Sequence, residues 1–332
     1  MWAILLVACV KPLPPTMVPA DTLTYRTSDG WEAEVRHYPG EGPPVLLVHG
    51  MGANHYNWDY RPEVSLAHAL QARGWDVWIP ALRGDPGSLP PDRRARRGFS
   101  FSEFATLDLP AAVDAVLAAT GEDQLFWVGH SMGGMLLYTA ISDYPEKIAG
   151  GVAICSPSGF AHPFDAQLSL ARSRWLFRGR GAVPAEAFGK ATGGLGRANP
   201  LFRRVSNPDN LDFAVAKGLA RHALVDMPHA LAFEATGWVR AGELVDRAGE
   251  PWLRPNAVPL LVMGGAVDRV VAEPDVRATC DRFPDCEYRL LGTAGGFSAD
   301  YGHVDAVLGK EAASEVYPVI LDWLDRRRAT AP

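Results

Sequence analysis

Residues 124 to 144 read Gln-Leu-Phe-Trp-Val-Gly-His-Ser-Met-Gly-Gly-Met-Leu-Leu-Tyr-Thr-Ala-Ile-Ser-Asp-Tyr, an apolar run that meets a polar turn and then becomes apolar again. Leu125–Val128 have the composition of a buried strand, and the apolar residues after Ser131 recur at helical spacing. The stretch therefore predicts a strand, a sharp turn and a helix, in that order.

The turn itself is Gly129-His130-Ser131-Met132-Gly133, a G-x-S-x-G pattern. Between a strand and a helix this pattern forms a nucleophile elbow, in which small neighbours let the serine adopt a strained conformation. The elbow would place the Ser131 hydroxyl above the sheet edge, beside the first N–H groups of the helix. A glycine-rich helix start is the alternative in a chain with 33 glycines. The flanking strand and helix favour the elbow.

Further apolar runs alternate with helical patterns along the chain. Two segments of alternating polarity, Thr22–Thr27 and Trp31–Tyr38, predict an antiparallel hairpin. The other predicted strands are apolar throughout, as strands buried on both faces are; they are Pro44–Val48, Trp75–Ile79, Gly151–Cys155, Val258–Met263 and Cys286–Leu291. With the strand before Ser131, they predict an α/β fold with a mostly parallel eight-stranded sheet and helices on both faces.

One interval breaks this alternation. The predicted core occupies residues 22–155 and 257–332, and the intervening residues 156–256 are far more than a crossover needs. This interval holds helix-like segments and the aromatic residues Trp175, Phe177, Phe202, Phe233 and Trp238. We expect a helical cap, inserted between the sixth and seventh strands, whose apolar underside binds substrate. Aromatic residues that pack a core of the cap itself are a compatible alternative.

A serine hydroxyl needs a base to remove its proton, and an acid must orient that base. In the strand order predicted here the acid and the histidine follow the serine, after later strands. Asp268 comes just past the strand Val258–Met263, and His303 comes after the last strand and before the last helix. We therefore predict Ser131, Asp268 and His303 as catalytic residues. Asp305 is the rival acid, because it is close to His303 in sequence.

The developing oxyanion needs two backbone donors. One should be the amide of Met132, directly after the nucleophile, and the other should come from the loop after the third strand. In that loop, His49-Gly50-Met51-Gly52, flanking glycines allow the backbone to approach closely. The Met51 amide is therefore the predicted second donor.

Composition limits the classes of function. The chain has 332 residues, 48% of them hydrophobic, and a formal net charge of −6, which argues against a nucleic-acid-binding protein. One basic cluster, residues 93–97, lies among prolines and a glycine, and we interpret it as a solvated loop. The protein is not predicted to need a cofactor or a metal ion.

The N-terminal residues 2–8 are apolar but too few to span a bilayer. The sequence Leu6-Val7-Ala8-Cys9 resembles the lipobox of bacterial lipoproteins, which predicts lipidation at Cys9 and a cell-envelope location. The Pro-rich residues 11–19 would then serve as a tether, so that residues 1–21 form a signal and tether region. An apolar N-terminus on a cytoplasmic protein is the alternative.

The other cysteines are interpreted by their context. Cys155 lies in an apolar strand and is expected to be a small buried hydrophobe. Cys280 and Cys286 are close enough in sequence to bridge in an oxidising compartment. The Cys and His spacings do not resemble a metal site.

The chain resembles the α/β-hydrolase superfamily, and within it the acid lipases of the lysosomal and gastric type. The resemblance covers roughly residues 22–155 and 256–327 and rests on four motifs: Leu46–Met51 with Asn57-Trp58, Gly74–Trp78 with Arg83-Gly84, Phe99–Glu103 leading into Asp108–Ala111, and Tyr301–Asp305. It implies a lipase or esterase with Ser131, Asp268 and His303 as its triad. Met132 stands where those lipases usually carry glutamine, and residues 156–255 do not resemble their cap.

Together these observations predict a serine carboxylic-ester hydrolase acting on a small acyl ester or lipid. Acyl transfer to an alcohol would use the same residues, and a non-catalytic binding protein on the same fold is a further alternative.

Overall fold

The structure is a computed structural model that describes residues 10–192 and 200–329. Its strands are β1 (Asp21–Arg26), β2 (Glu32–Tyr38), β3 (Pro44–Val48), β4 (Asp76–Pro80), β5 (Ser88–Leu89), β6 (Leu125–His130), β7 (Ile148–Ile154), β8 (Ala182–Val183), β9 (Met227–Pro228), β10 (Leu260–Gly265) and β11 (Cys286–Leu291). Nine of them form the main sheet. Eight run side by side in the order β1-β2-β4-β3-β6-β7-β10-β11, and the two-residue strand β5 pairs with β2.

The main sheet is mixed but mostly parallel. Strand β2 pairs antiparallel with β1, with β4 and with the short β5, and the pairs from β4 to β11 are parallel. The predicted hairpin and the predicted mostly parallel sheet are therefore confirmed. The central strands are buried along their whole length, which explains their continuous apolar sequences.

The pairing register aligns the carboxyl ends of the central strands. Val48 of β3 lies opposite Gly129 of β6, and His130 of β6 lies opposite Ile154 of β7. Ile154 in turn lies opposite Met263 of β10. The residues that directly follow these strands therefore meet at one edge of the sheet, where open α/β sheets bind their ligands.

The helices that the structure describes are α1 (Leu66–Ala72), α2 (Leu109–Thr120), α3 (Met132–Asp143), α4 (Asp165–Arg172), α5 (Ala185–Thr192), α6 (Pro200–Val205), α7 (Phe213–His222), α8 (His229–Ala241), α9 (Glu273–Arg277), α10 (Asp305–Leu308) and α11 (Tyr317–Arg328). Helix α2 continues an α-helical turn, Phe101–Glu103, and a π-helical turn, Phe104–Asp108. Ser100 and Glu103 form a capping box at the start of this segment.

Helices α4 to α8 lie between β7 and β10, which are the sixth and seventh in chain order of the eight strands that run side by side. We call residues 156–256 the cap. Its contacts with the core are both aromatic and polar: the rings of Trp238 and Trp252 pack edge-on to Phe101. The Glu234 carboxylate of α8 accepts hydrogen bonds from the hydroxyls of Ser100 and Ser102. Val304 N of the core donates to Val205 O of the cap at 2.8 Å.

The Pro-rich N-terminal segment lies against the folded chain. Leu13 N donates to Ala214 O of α7 at 3.0 Å, and Thr16 N donates to Tyr60 O at 2.9 Å. The Tyr60 hydroxyl donates to Leu13 O. Residues 10–19 are thus docked between core and cap rather than free, as a tether would be. The predicted lipidation site, Cys9, lies outside the described residues.

Cys280 and Cys286 form a disulfide bond, as their spacing allows. In the described ranges, each helix is too short or too polar to cross a bilayer.

Candidate active site

Ser131 lies in a strained turn between β6 and α3. Its φ of 54° and ψ of −120° fall in a backbone region that residues other than glycine rarely adopt. The turn is possible because glycines flank it: a Cβ on Gly129 would lie 2.3 Å from the Gly133 backbone, and one on Gly133 would lie 1.9 Å from Val48 O. Ser131 N donates to Ile154 O at 2.8 Å, which fixes the turn to the end of β7.

Asp268 and His303 form a buried pair after β10 and β11. His303 Nδ1 lies 2.7 Å from Asp268 Oδ2. The other oxygen, Asp268 Oδ1, accepts hydrogen bonds from the amides of Val270 and Val271 at 2.7 and 3.1 Å. Burial opposes ionisation of this carboxyl, but His303 and the two amides favour it and hold its pKa below the ordinary value. Asp268 is therefore ionised at neutral pH and orients the imidazole.

Asp305, the rival acid, has other partners. It accepts hydrogen bonds from Gly302 N and Asn207 N, both at 2.9 Å, and from Asn210 Nδ2 at 3.0 Å. Burial raises its pKa, and these donors act against that effect. Asp305 thus holds the His303 loop and joins it to the cap, whereas Asp268 contacts the imidazole.

Ser131 and His303 line the same cavity, which has a volume of about 640 Å³. This volume is within the roughly 300–1,000 Å³ that is typical of small-molecule sites. The cavity lies between the sheet edge and the cap. Most of its walls are apolar, and the cap contributes Phe160, Leu170, Phe177, Phe188, Phe202, Leu219 and Trp238.

The aromatic residues of the cap divide into two groups. Phe177, Phe202 and Trp238 line the cavity, as expected for a substrate-binding underside. Phe233 packs under the Arg174 guanidinium, 3.8 Å from its ring centroid, and Trp175 is exposed to solvent. Sequence spacing could not distinguish these groups, because the cap helices are short.

The predicted oxyanion donors are next to the serine. A Cβ on Gly50 would lie 3.1 Å from Ser131 Cβ, so the backbone after β3 passes directly beside the nucleophile. Met51 and Met132 both line the cavity. Met132 is the first residue of α3, where helix geometry leaves N–H groups without an intrahelical acceptor.

The loop after β3 is supported by a buried pair that sequence reasoning did not find. His49 Nε2 lies 2.6 Å from Asp85 Oδ2, and His49 Nδ1 lies 3.0 Å from Gly50 O. Burial acts to lower the pKa of His49, but Asp85 raises it above its ordinary value. A charged imidazole donates to both partners and so fixes the Gly50 peptide beside Ser131.

His130 of the elbow contacts the backbone of His303. Its Nε2 lies 3.1 Å from His303 O and its Nδ1 lies 3.0 Å from Asn57 Oδ1. Burial, and then the charge of His303, lower the pKa of His130 to about 3. His130 is therefore neutral at pH 7, and its single ring N–H donates to one of these two oxygen atoms.

Cys155 is a further residue beside the acid and base that the sequence did not indicate. It follows β7 with a φ of 51°, and its Sγ lies within 4.8 Å of the nearest ligand atoms of Asp268 and His303. These three side chains are the described group that could hold a metal ion. The signal in the sequence was only that Cys155 ends a strand adjacent to β6.

Comparison with known proteins agrees with this fold. A family model described as alpha/beta hydrolase fold matches residues 43–302. Human gastric triacylglycerol lipase is 26% identical over 347 aligned positions, which cover 90% of this chain and 86% of that protein.

Solved structures share the fold at lower identity. An esterase from Thermogutta terrifontis superposes with a TM-score of 0.62 at 19% identity, covering 93% of this chain and all of that one. Epoxide hydrolase A from Mycobacterium thermoresistibile also gives 0.62, at 18% identity, with 92% and 98% covered. Equal scores for an esterase and an epoxide hydrolase show that this likeness extends to the fold alone.

Proposed function

Because the chain belongs to the α/β-hydrolase family, we propose that it is a serine carboxylic-ester hydrolase, a lipase or esterase that acts through an acyl-enzyme. One observation carries the proposal. His303, which is paired with the buried Asp268, lines the same apolar cavity as Ser131, which stands in a strained turn at its wall.

The proposed mechanism assigns one role to each residue. Asp268 engages His303 Nδ1, which leaves Nε2 to take the proton of the Ser131 hydroxyl as that oxygen attacks the ester carbonyl. The amides of Met51 and Met132 stabilise the oxyanion. His303 then protonates the leaving alcohol and activates a water molecule, which releases the acid and restores the serine.

The substrate class follows from the cavity and from the sequence relatives. Its walls are mainly aliphatic and aromatic, which suits an acyl chain rather than a peptide or a sugar. The lipase similarity over nine-tenths of the chain supports the same class. Lipidation of Cys9, and membrane attachment through it, stay predictions about residues outside the described ranges.

Cys155 is the alternative nucleophile, and its surroundings argue against it. It is fully buried, it does not line the cavity, and its Sγ lies 3.9 Å from Gly302 O. Burial raises the pKa of the thiol well above its ordinary value. A thiol that stays protonated and does not reach the substrate is a poor nucleophile.

The test compares Ser131→Ala with Cys155→Ala in short-chain ester hydrolysis and in labelling by a fluorophosphonate. We expect Ser131→Ala to lose at least about 10³-fold in kcat and all labelling, because the acyl-enzyme cannot form. Cys155→Ala should be labelled and should hydrolyse within a few fold of wild type. The reverse ranking would assign the thiol, and a folded wild type that is neither labelled nor active would indicate a non-catalytic binding protein.

A further inference from the structure

The cap carries large apolar side chains on its outer surface. Leu170, Trp175, Leu176 and Phe188 are 49%, 64%, 52% and 48% exposed. We call these four residues the cap patch. Large apolar side chains that are exposed close together, rather than singly, are typical of interaction sites. Three of them lie within seven consecutive residues at the end of α4 and in the turn that follows.

The cap patch borders the entrance of the active-site cavity. Leu170 and Phe188 line the cavity and are also about half exposed. A side chain with both properties lies at the rim, where the cavity meets solvent. A molecule that enters the cavity between the cap and the core therefore passes the cap patch.

The same segment concentrates positive charge. Arg172, Arg178 and Arg180 are exposed, and none of them forms an ion pair with a carboxylate in the described part of the chain. Arg174 lies beside them on the Phe233 ring. Burial, followed by the charges of Arg240 and Arg178, lowers the pKa of Arg174, as expected where cations gather without counter-charges.

The basic loop predicted to be merely solvated adds to this charge. Arg93, Arg94, Arg96 and Arg97 are exposed. Asp92, the carboxylate that begins the loop, has its pKa lowered by the amides of Ala95 and Arg94, and also by the charges of Arg94 and Arg180. Arg180 of the cap therefore lies within electrostatic range of the 92–97 loop of the core. Positive charge is local here, because the whole chain has a net charge of −6.

We propose that the cap patch and these arginines dock the protein on the surface of a membrane that contains anionic phospholipid. Trp175 and Leu176 enter the headgroup region, where an indole and an aliphatic side chain are stable. The guanidinium groups bind lipid phosphates. The inference deepens the proposed function, since an acyl ester leaving the bilayer at this place would reach Ser131 through the adjacent cavity mouth.

The combination of exposed apolar side chains and unpaired arginines favours an anionic membrane over other binding partners. A neutral lipid surface or an apolar protein would satisfy the cap patch but not the unpaired arginines. Nucleic acid would satisfy the arginines but would leave Leu170 and Leu176 without an apolar environment. A surface with phosphates outside and hydrocarbon beneath satisfies both groups of residues.

Vesicle flotation tests the proposal on the full chain carrying Ser131→Ala, which prevents turnover, and Cys9→Ser, which removes lipidation as a source of binding. Vesicles of phosphatidylcholine alone are compared with vesicles that also contain phosphatidylglycerol. We expect binding only to the anionic vesicles, and release at high salt. Arg172→Gln/Arg178→Gln/Arg180→Gln and Trp175→Ala/Leu176→Ala should each weaken the binding by about tenfold or more.

Arg289→Gln is the matched control. Arg289 is exposed on the edge strand β11, so its loss should leave vesicle binding within about twofold of the parent. Trp175 provides a direct readout. Brominated lipid in anionic vesicles should quench tryptophan emission in the parent, and Trp175→Phe should abolish most of that quenching while it keeps the binding.

Equal binding to both vesicle types, unaltered binding in the arginine variant, or displacement from vesicles by an oligonucleotide would each overturn the proposal. The outcome is separate from that of the proposed function. If the wild type hydrolyses soluble esters but does not bind vesicles, docking fails alone. If it binds vesicles but never hydrolyses esters, the proposed function fails alone.

Discussion

At the scale of single residues, the two buried carboxylates near His303, Asp268 and Asp305, have different roles. Asp268 holds the imidazole and is kept ionised by two backbone amides. Asp305 accepts hydrogen bonds from the backbone of the loop and from Asn207 and Asn210 of the cap. One carboxylate therefore orients the base, and the other maintains the structure around it.

Asp268→Asn should reduce kcat by about 10³ to 10⁴, because an amide favours the wrong imidazole tautomer and cannot stabilise the imidazolium. Asp305→Asn should reduce kcat by less than about tenfold but lower the free energy of unfolding by about 1–3 kcal/mol, since its amide donors lose a charged acceptor. Ester hydrolysis and urea denaturation of both variants measure this. A larger loss of kcat in Asp305→Asn would reassign the acid.

His130 should make the free energy of unfolding decrease as the pH is lowered. Its pKa is about 3 in the folded protein and about 6.5 when unfolded. Below pH 6.5 the unfolded state therefore binds a proton that the folded state does not, and stability falls until about pH 3. At pH 5 the loss is about 2 kcal/mol relative to pH 7 or above.

The variant His130→Gln should lack this component. We expect the free energy of unfolding, from urea titrations at pH 7 and pH 5, to change by about 2 kcal/mol less in His130→Gln than in wild type. The other histidines are common to both proteins and cancel in the difference. Identical pH dependence in the two proteins would mean that His130 titrates normally in the folded state.

At the scale of elements, glycines decide which segments can touch. Gly133 of α3 lets the helix start against Val48 of β3, and this contact sets the position of Ser131. Gly218 of α7 has the same role for the N-terminal segment. A Cβ there would lie 1.9 Å from the Tyr60 hydroxyl and 2.1 Å from Leu13 O.

Gly218→Ala should therefore displace residues 10–19 from the groove between core and cap. We expect a loss of about 1–3 kcal/mol in the free energy of unfolding, typical of overpacking, and faster proteolysis within the N-terminal segment. Gly237→Ala is the matched control in α8, where a Cβ would have no neighbour within 4 Å. That substitution should stabilise the protein by up to about 1 kcal/mol. Equal effects at both positions would contradict the docking of the segment.

At the scale of the whole molecule, polar contacts set the cap above the sheet edge. The carboxylate of Glu234 accepts from Ser100 and Ser102, and Arg247 lies 4.0 Å from it while also pairing with Glu103. The Phe99–Glu103 motif, which has no catalytic necessity, is thus one of the core's attachment points for the cap, together with the Asp305 contacts to Asn207 and Asn210.

Glu234→Ala should loosen that attachment without touching the catalytic residues. We expect KM for a long-chain ester to rise about tenfold, because two buried hydroxyls lose their acceptor, while kcat for a short-chain ester stays within a few fold. Glu186→Ala, which removes an exposed carboxylate paired with Lys190 on the cap, should alter neither parameter. Circular dichroism would establish that both variants are folded. A loss of kcat for short esters in Glu234→Ala would give this residue a role in the chemistry.

The sequence by itself determined the local structures and their order. Hydrophobic periodicity predicted the strands and helices, since it depends on which face of each element is buried, and the glycines around Ser131 predicted the strained turn because only they permit it. The tertiary structure decided which side chains meet. His303 contacts Asp268, which is 35 positions away in the sequence, and His130 contacts Asn57, which is 73 positions away. Cys155 comes beside both members of the acid–base pair. Such contacts depend on how the strands and the cap are arranged in space, and local sequence patterns carry no record of that arrangement.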